Sequence, residues 1–357
     1  MESFKIENLI YSGSFGNIYN LKNDDRVIKR INITQNIGIL GILELYIIRH
    51  VSNRYIISSD EIIFDKTNKF DYAMKRAISD VNNNKYKISY GKFFFQITLG
   101  LLELHSKNIL HGDIKPNNIL IFKEGNEIYP KLCDFGLSIL ITPSCSYNEI
   151  KKFFYSVSFY PPEIFNRLGV YLKSDIWALG CTFYKIYYGQ SLFPKYTCKN
   201  FQGLSYNNWS RFLLGLPNEF DISNKWYNSE NILINKLLTK MLQMDVNDRY
   251  SIYDVLNDEF FDKYRLDINL GSISSDFFDI NNYESLLKEA RNYTEDNKIL
   301  FLAIYIYINK NGSMYGLKIC INIAHKIVYN VSFEKNIDYM TMNKEIELLI
   351  GCDFNII

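Results

Sequence analysis

The amino-acid sequence predicts an α+β chain with a small β-rich lobe, a larger helical lobe and a short C-terminal domain of helical character. Three observations predict it. Up to about residue 75, short β-branched runs alternate with turns. From residue 90 onward, apolar residues recur with the helical period. Near residues 263–276 the pattern breaks into a polar stretch (Asp267, Asn269, Gly271, Ser272, Ser274, Ser275) with the composition of a linker. The boundaries follow: 1–77 for the small lobe, 78–262 for the large lobe, 263–275 for the linker and 276–357 for the C-terminal domain.

In order along the chain, Phe4–Leu9, Asn17–Leu21 and Arg26–Ile31 read as strands, and residues 35–50 as a helix. Tyr90–Ser106, Ser174–Tyr188, Ile232–Leu242 and Ile252–Asp258 carry the helical pattern of the large lobe. In the tail, Tyr283–Asn292, Ile299–Ile308, Gly316–Val328 and Met342–Ile350 can be read as helices. A β reading stays open there: Ile304-Tyr305-Ile306-Tyr307-Ile308 alternates, and Asn311-Gly312 is a hairpin signal.

Composition narrows the classes of function. The 357 residues carry 40 Lys and Arg against 39 Asp and Glu, a net charge of +1. That balance argues against a general nucleic-acid binder, which shows a basic excess, and gives no pull toward anionic membranes. Apolar residues at 47% and charged residues at 22% are ordinary for a globular chain. No apolar stretch approaches the ~18 residues that would cross a bilayer, and Glu2 stands where a signal peptide carries base. The six cysteines are scattered without a C-x-x-C pair, so neither a metal nor a disulfide framework is expected. A reducing interior, cytoplasm or nucleus, is the simple reading. The richness in Asn, Ile, Lys and Tyr resembles AT-biased coding and would fit a large DNA virus in its host cell.

Two constellations carry chemistry. The first is Ser12-Gly13-Ser14-Phe15-Gly16-Asn17-Ile18-Tyr19, between two predicted strands, whose glycines would let backbone N–H groups approach a phosphate. Lys29 ends the run Val27-Ile28-Lys29, and Glu44 is the one charged residue between positions 35 and 48. A lone acid on so apolar a helix needs a cation, and Lys29 is its natural partner. The second is His111-Gly112-Asp113-Ile114-Lys115-Pro116-Asn117-Asn118-Ile119-Leu120, followed by Cys133-Asp134-Phe135-Gly136. It supplies an acid, a base, an amide and a further carboxylate, and oxygen ligands of that kind suit Mg²⁺.

With these residues in their order, the chain resembles the eukaryotic-type protein kinase family over roughly residues 4–262. The resemblance implies a bilobal protein-kinase fold with ATP and Mg²⁺ between the lobes. It implies that Gly13 and Gly16 cover the ATP phosphates and that Lys29 binds the α- and β-phosphates while paired with Glu44. Asp113 would accept or orient the proton of the substrate hydroxyl, Lys115 would steady the γ-phosphoryl, and Asn118 and Asp134 would hold the metal. Ile10, Ile18, Val27, Met74 and Leu120 match the adenine pocket, with Met74 as gatekeeper and Lys75–Ala77 as hinge. Pro161-Pro162-Glu163, Arg249 and the helix of Asp175 match scaffold features, and Lys115 with Ser156 favours Ser/Thr over Tyr as acceptor. A catalytically silent, nucleotide-binding scaffold is the alternative.

The chain also departs from the family pattern. Tyr11 replaces the first glycine of the phosphate loop, and Gly112 replaces the arginine that commonly clamps a phosphorylated loop. Activity is therefore expected not to need a phosphate on residues 137–160. The helix of residues 36–48 is apolar all round, so its outer face is expected to expose Ile and Leu and to serve as a contact surface. The tail offers a cover for it. Ile299-Leu300-Phe301-Leu302-Ala303, the stretch from Gly316 to Lys326 and the stretch from Asn343 to Phe354 resemble a single cyclin box. In that resemblance Lys326 and Glu345 fall on the pair that cyclins use to grip their kinase. The tail would then be an intramolecular activator docked on the Glu44 helix, or a recruiter of a separate partner.

Overall fold

The structure, a computed structural model, describes residues 4–13, 16–32, 38–59, 61–65, 69–141, 157–165, 170–192, 229–265 and 355–356. They fall into two compact units. The first holds the described residues up to 52, Ser58–Arg76 and the final strand; the second holds Asn53–Ile57 and the described residues 77–265.

The first unit is a sheet with a helix. Strands β1 (Ile6–Gly13), β2 (Gly16–Leu21), β3 (Arg26–Asn32), β4 (Glu61–Asp65) and β5 (Lys69–Lys75) lie in the order β1-β2-β3-β5-β4, and Asn355–Ile356 pairs parallel with Ile63–Phe64 at the far edge. Side chains alternate between the faces of a strand. Ile28 and Ala73, directly opposite each other, close one face with Leu21, and Phe4, Ile6 and Tyr19 pack around them. On that same face Arg30 forks onto Asp71, with contacts of 2.7 and 2.5 Å, beneath the ring of Tyr19. The other face carries Val27, Lys29, Tyr72 and Met74. Helix α1 (Gly38–His50) reaches that face through Glu44, and its end is tied down where Ser59 N donates to the Ile48 carbonyl at 2.9 Å.

One expectation changes here, and another is tested in part. β1 runs on to Gly13, because Ser12 pairs with Asn17 and Gly13 with Gly16, so pairing continues into the glycine stretch that read as open loop. Of the apolar helix, the described side chains Leu43, Leu45, Ile47 and Ile48 are all buried, as a covered contact surface would be. Residues 36–37 and the side chains of residues 38–42 lie outside the described residues. So do the whole of 276–354, with its cyclin-like stretches, and Ser156.

The second unit is built on α2 (Tyr90–Ser106), buried from Phe93 to His105. Phe94 stacks on Phe183 of α4 (Leu172–Tyr188) with ring centroids 4.0 Å apart, and Phe95 meets Phe261 at 5.3 Å. Between them in sequence lies α3 (Pro162–Phe165), and after them α5 (Ser229–Met241), α6 (Ile252–Asn257) and α7 (Asp262–Arg265). Ser251 caps α6, its hydroxyl accepting from Asp254 N at 3.3 Å while Asp254 accepts from Ser251 N at 2.8 Å. The helix α4 ends on Gly189.

The helical reading of this unit needs one correction. A hairpin of β8 (Ile119–Glu124) and β9 (Glu127–Leu132) carries the short strand β6 (Ser79–Asp80) beside β8, and β7 (Ile109–Leu110) pairs separately with β10 (Ile139–Leu140). β8 reads as a short apolar run followed by charge, which period alone does not assign to strand or helix. Pairing with β9 decides it, with Ile119 opposite Leu132 and Phe122 opposite Tyr129.

Candidate active site

In the first unit the strand register assembles the site. Lys29 lies opposite Tyr72, Val27 opposite Met74, and Ile18 opposite Lys29. Residues directly opposite share a face, so Ile18, Val27, Lys29 and Met74 are brought together. Glu44 Oε1 accepts from Lys29 Nζ at 2.6 Å and from the Tyr72 hydroxyl at 2.7 Å. Glu44 is 1% exposed and Lys29 6%, so this is a buried ion pair whose carboxylate depends on its donors. Tyr72 had no mark in the sequence. The only available signal was the alternation Phe70, Tyr72, Met74, which does not say which of them faces Lys29.

Gly13 and Gly16 oppose each other at the hairpin end. A Cβ on Gly16, at φ +154°, would lie 2.6 Å from the Arg30 carbonyl oxygen, so the close approach of β2 to β3 requires glycine there. Tyr11 sets a ring carbon 2.8 Å from where a Cβ on Gly13 would stand. The tyrosine that replaces a glycine thus lies over the next one. Ile10 is 49% exposed, the least enclosed of the expected adenine-pocket residues.

In the second unit, Pro116 opens a single 3-10 turn over Pro116–Asn118 and Asn118 N donates to the Lys115 carbonyl at 2.9 Å. That turn folds Lys115 and Asn118 back onto Asp113. Lys115 Nζ lies 2.5 Å from Asp113 Oδ2, and Asn118 Nδ2 donates to the same Oδ2 at 2.9 Å and to the Asp113 carbonyl at 2.8 Å. The β8–β9 register then places Asp134. Asn118 immediately precedes β8, Cys133 and Asp134 immediately follow β9, and Cys133 N donates to the Asn118 carbonyl at 3.0 Å. Asp134 takes a left-handed backbone, φ 66°. Ala77 and Leu120, both half-buried, also belong to this unit, Leu120 lying opposite Asp80 and Lys131.

The loop is braced from beneath. Asp175, fully buried at the start of α4, accepts from His111 N at 2.7 Å, Gly112 N at 3.0 Å and His105 Nε2 at 3.0 Å. An ionised carboxylate only accepts, so the His105 proton sits on Nε2. His105 is a further contributor that the motifs did not mark. Burial pushes the His111 imidazole below its ordinary range, so it stays neutral, and its ring packs 5.3 Å from Phe135. Gly112 has φ +82°, and a Cβ there would stand 2.4 Å from the Leu137 carbonyl oxygen. Gly112→Ala is expected to destabilise this unit by at least roughly 1–2 kcal/mol, the cost of a left-handed L-residue before the clash is added. Urea unfolding of the two proteins checks it.

The donor set fits Mg²⁺. The amide nitrogen of Asn118 is turned to Asp113, so its carbonyl oxygen is the atom that could meet a metal, and Asp134 could add a carboxylate. Among the described residues no cluster of three or more His, Cys, Asp and Glu side chains forms a self-contained metal cage. One carboxylate and one amide suit a metal that takes its other ligands from water and substrate phosphates.

The model of the protein kinase domain matches residues 4–261. The chain is 30% identical over 209 residues to the glycogen synthase kinase-3 homolog YGK3 of Saccharomyces cerevisiae, covering 52% of each protein. It is 24% identical over 278 residues to CBL-interacting serine/threonine-protein kinase 20 of Arabidopsis thaliana, covering 74% of this chain and 59% of the relative. With mitogen-activated protein kinase hog-1 of Neurospora crassa it shares 27% identity over 285 residues, 71% of this chain and 76% of the relative. The match thus spans little more than half the length of the first two relatives.

Proposed function

The chain belongs to the protein kinase domain family, and on that premise we propose that it transfers the γ-phosphoryl group of ATP to serine and threonine hydroxyls of proteins. The observation that carries the reading is the loop in which Lys115 and Asn118 both close on Asp113 while Asn118 and Asp134 stand at adjoining hairpin ends. The intact set Lys29, Glu44, Asp113, Lys115, Asn118 and Asp134, with relatives named as kinases, favours transfer over a silent scaffold.

In the proposed reaction the acceptor hydroxyl oxygen bonds to the γ-phosphorus and the bond from that phosphorus to the β–γ bridging oxygen breaks. ADP departs, and the hydroxyl proton passes to the Asp113 carboxylate. Lys29, held by Glu44, binds the nucleotide phosphates in the first unit. Lys115 sets an ammonium beside Asp113, where charge develops on the transferring group. Asn118 and Asp134 would hold Mg²⁺, which when bound neutralises phosphate charge. The chain's own contribution is orientation and fixed charge, with little covalent work.

We extend the proposal to the tail: residues 276–357 act as an intramolecular activator on the Glu44 helix. The cyclin-like stretches of the sequence support it, as does the parallel pairing of Asn355–Ile356 with β4, in the same unit as α1.

One assay tests both parts. Labelled ATP is expected to mark the chain and a Ser/Thr peptide library, and treatment with phosphatase beforehand is expected to leave the rate unchanged. Lys29→Met and Asp134→Asn should each lower the rate about 10²–10³-fold, as loss of a fixed electrostatic group does. Lys326→Ala combined with Glu345→Ala in the full chain should lower basal activity. Unlabelled parent protein would refute the transfer reading; a fully active Lys326/Glu345 variant would refute the tail's role alone.

A further inference from the structure

We propose that Tyr72 is a positioning residue for nucleotide binding, its hydroxyl holding the Glu44 carboxylate to the sheet independently of Lys29. The inference rests on the phosphotransfer reading and deepens it.

The geometry is specific. Two donors from two strands meet one oxygen: Lys29 Nζ of β3 at 2.6 Å and the Tyr72 hydroxyl of β5 at 2.7 Å, both on Glu44 Oε1. All three side chains are buried. Lys29 has three N–H donors and must divide them between Glu44 and the phosphates of a nucleotide. A carboxylate at 1% exposure, held by that ammonium alone, would lose much of its compensation whenever the ammonium turned to phosphate. Tyr72 gives the single proton of its hydroxyl to Glu44. Its strand lies between β3 and β4, with Lys29 on one side and Ile62 on the other, and its ring stacks on Phe70 at 6.5 Å. A tyrosine has few rotatable bonds, whereas lysine is a point charge on a flexible stem. The hydroxyl therefore stays where the backbone puts it. Glu44, and with it α1, is fastened to β5 while Lys29 is left able to exchange partners.

Tyr72→Phe tests this, because it keeps the ring and its stacking and deletes only the hydroxyl. The Kd for a fluorescent ATP analogue with Mg²⁺, and the KM for ATP, are expected to rise about tenfold, the size of one hydrogen bond to a charged group, while kcat changes less. The same substitution in a Glu44→Ala background is expected to change neither by more than about twofold, because its effect passes through Glu44. A merely structural role would lower the melting temperature, leave KM unmoved and add to Glu44→Ala. Parental ATP affinity in Tyr72→Phe, or an undiminished tenfold loss in the Glu44→Ala background, overturns the inference. A parent that binds the analogue without transferring phosphate removes the phosphotransfer reading, and the binding arm still decides Tyr72. A parent that binds no nucleotide removes both.

Discussion

Replacing Asp113 by Asn is expected to lower the rate of phosphoryl transfer about 10²–10⁴-fold, the usual worth of a positioned proton acceptor. The substitution keeps size and shape. Lys115 Nζ and Asn118 Nδ2 now both approach Asp113 Oδ2, at 2.5 and 2.9 Å, and an amide oxygen can still accept from them. The loop is also held from elsewhere, by Asp175 under His111 and Gly112 and by Asn118 N on the Lys115 carbonyl. The fold should therefore survive, with the melting temperature close to that of the parent and the KM for ATP little changed. The loss should fall on kcat, because the group removed acts on the acceptor hydroxyl. Steady-state kinetics with near-ultraviolet circular dichroism measure both sides. A variant that keeps more than a tenth of the parental kcat would show that Asp113 does not handle the proton.

The second large effect concerns stability. Glu163→Ala is expected to destabilise the second unit by about 3–5 kcal/mol, because it strands a buried guanidinium. Arg249 has no exposed side-chain surface and forks onto Glu163 with contacts of 2.8 and 2.9 Å. It also donates to the carbonyls of Lys173 and Gln243, at 2.9 and 3.0 Å, and lies over the Trp177 ring. Ser174 donates to the other side of the pair, its hydroxyl 2.6 Å from Glu163 Oε1. These bonds join α3, the start of α4 and the segment before α6, so the arginine is a crossbrace between segments distant in the chain. Against a typical total stability of about 5–15 kcal/mol, the loss would be a large fraction. Urea unfolding followed by tryptophan fluorescence should show it, because Trp177 lies against Arg249. Glu163→Gln, which keeps one acceptor oxygen near the guanidinium, should cost less than Glu163→Ala. Equal and small effects from both would mean that the pair is dispensable.

Most of the second unit's site was legible in the sequence because it is local. Asp113, Lys115 and Asn118 lie close together in sequence, so the residues that act together are neighbours in the chain, and Pro116 opens the turn that folds them back. The pairing of Lys29 with Glu44 was legible for another reason: a single charge on an otherwise apolar helix demands a counter-charge. Tyr72 was not legible. Its role depends on the β3–β5 register, and a shift of one residue would turn it to the other face. The burial of Leu43, Leu45, Ile47 and Ile48 was likewise hidden, since an all-apolar pattern does not tell an enclosed helix from an exposed contact surface.

By itself the sequence determined which chemical groups this protein has, their order, and the turns that bring near neighbours together. Those follow from local sterics and from charge, both of which a short segment carries in full. Tertiary structure alone decided which strand faces which. From that pairing come the second donor on Glu44 and the bond from Cys133, next to Asp134, to the Asn118 carbonyl at the end of the β8–β9 hairpin, while helix packing supplies Asp175 beneath the loop. Each of these needs a hydrogen-bond partner far away in the chain, and only the packed register supplies it.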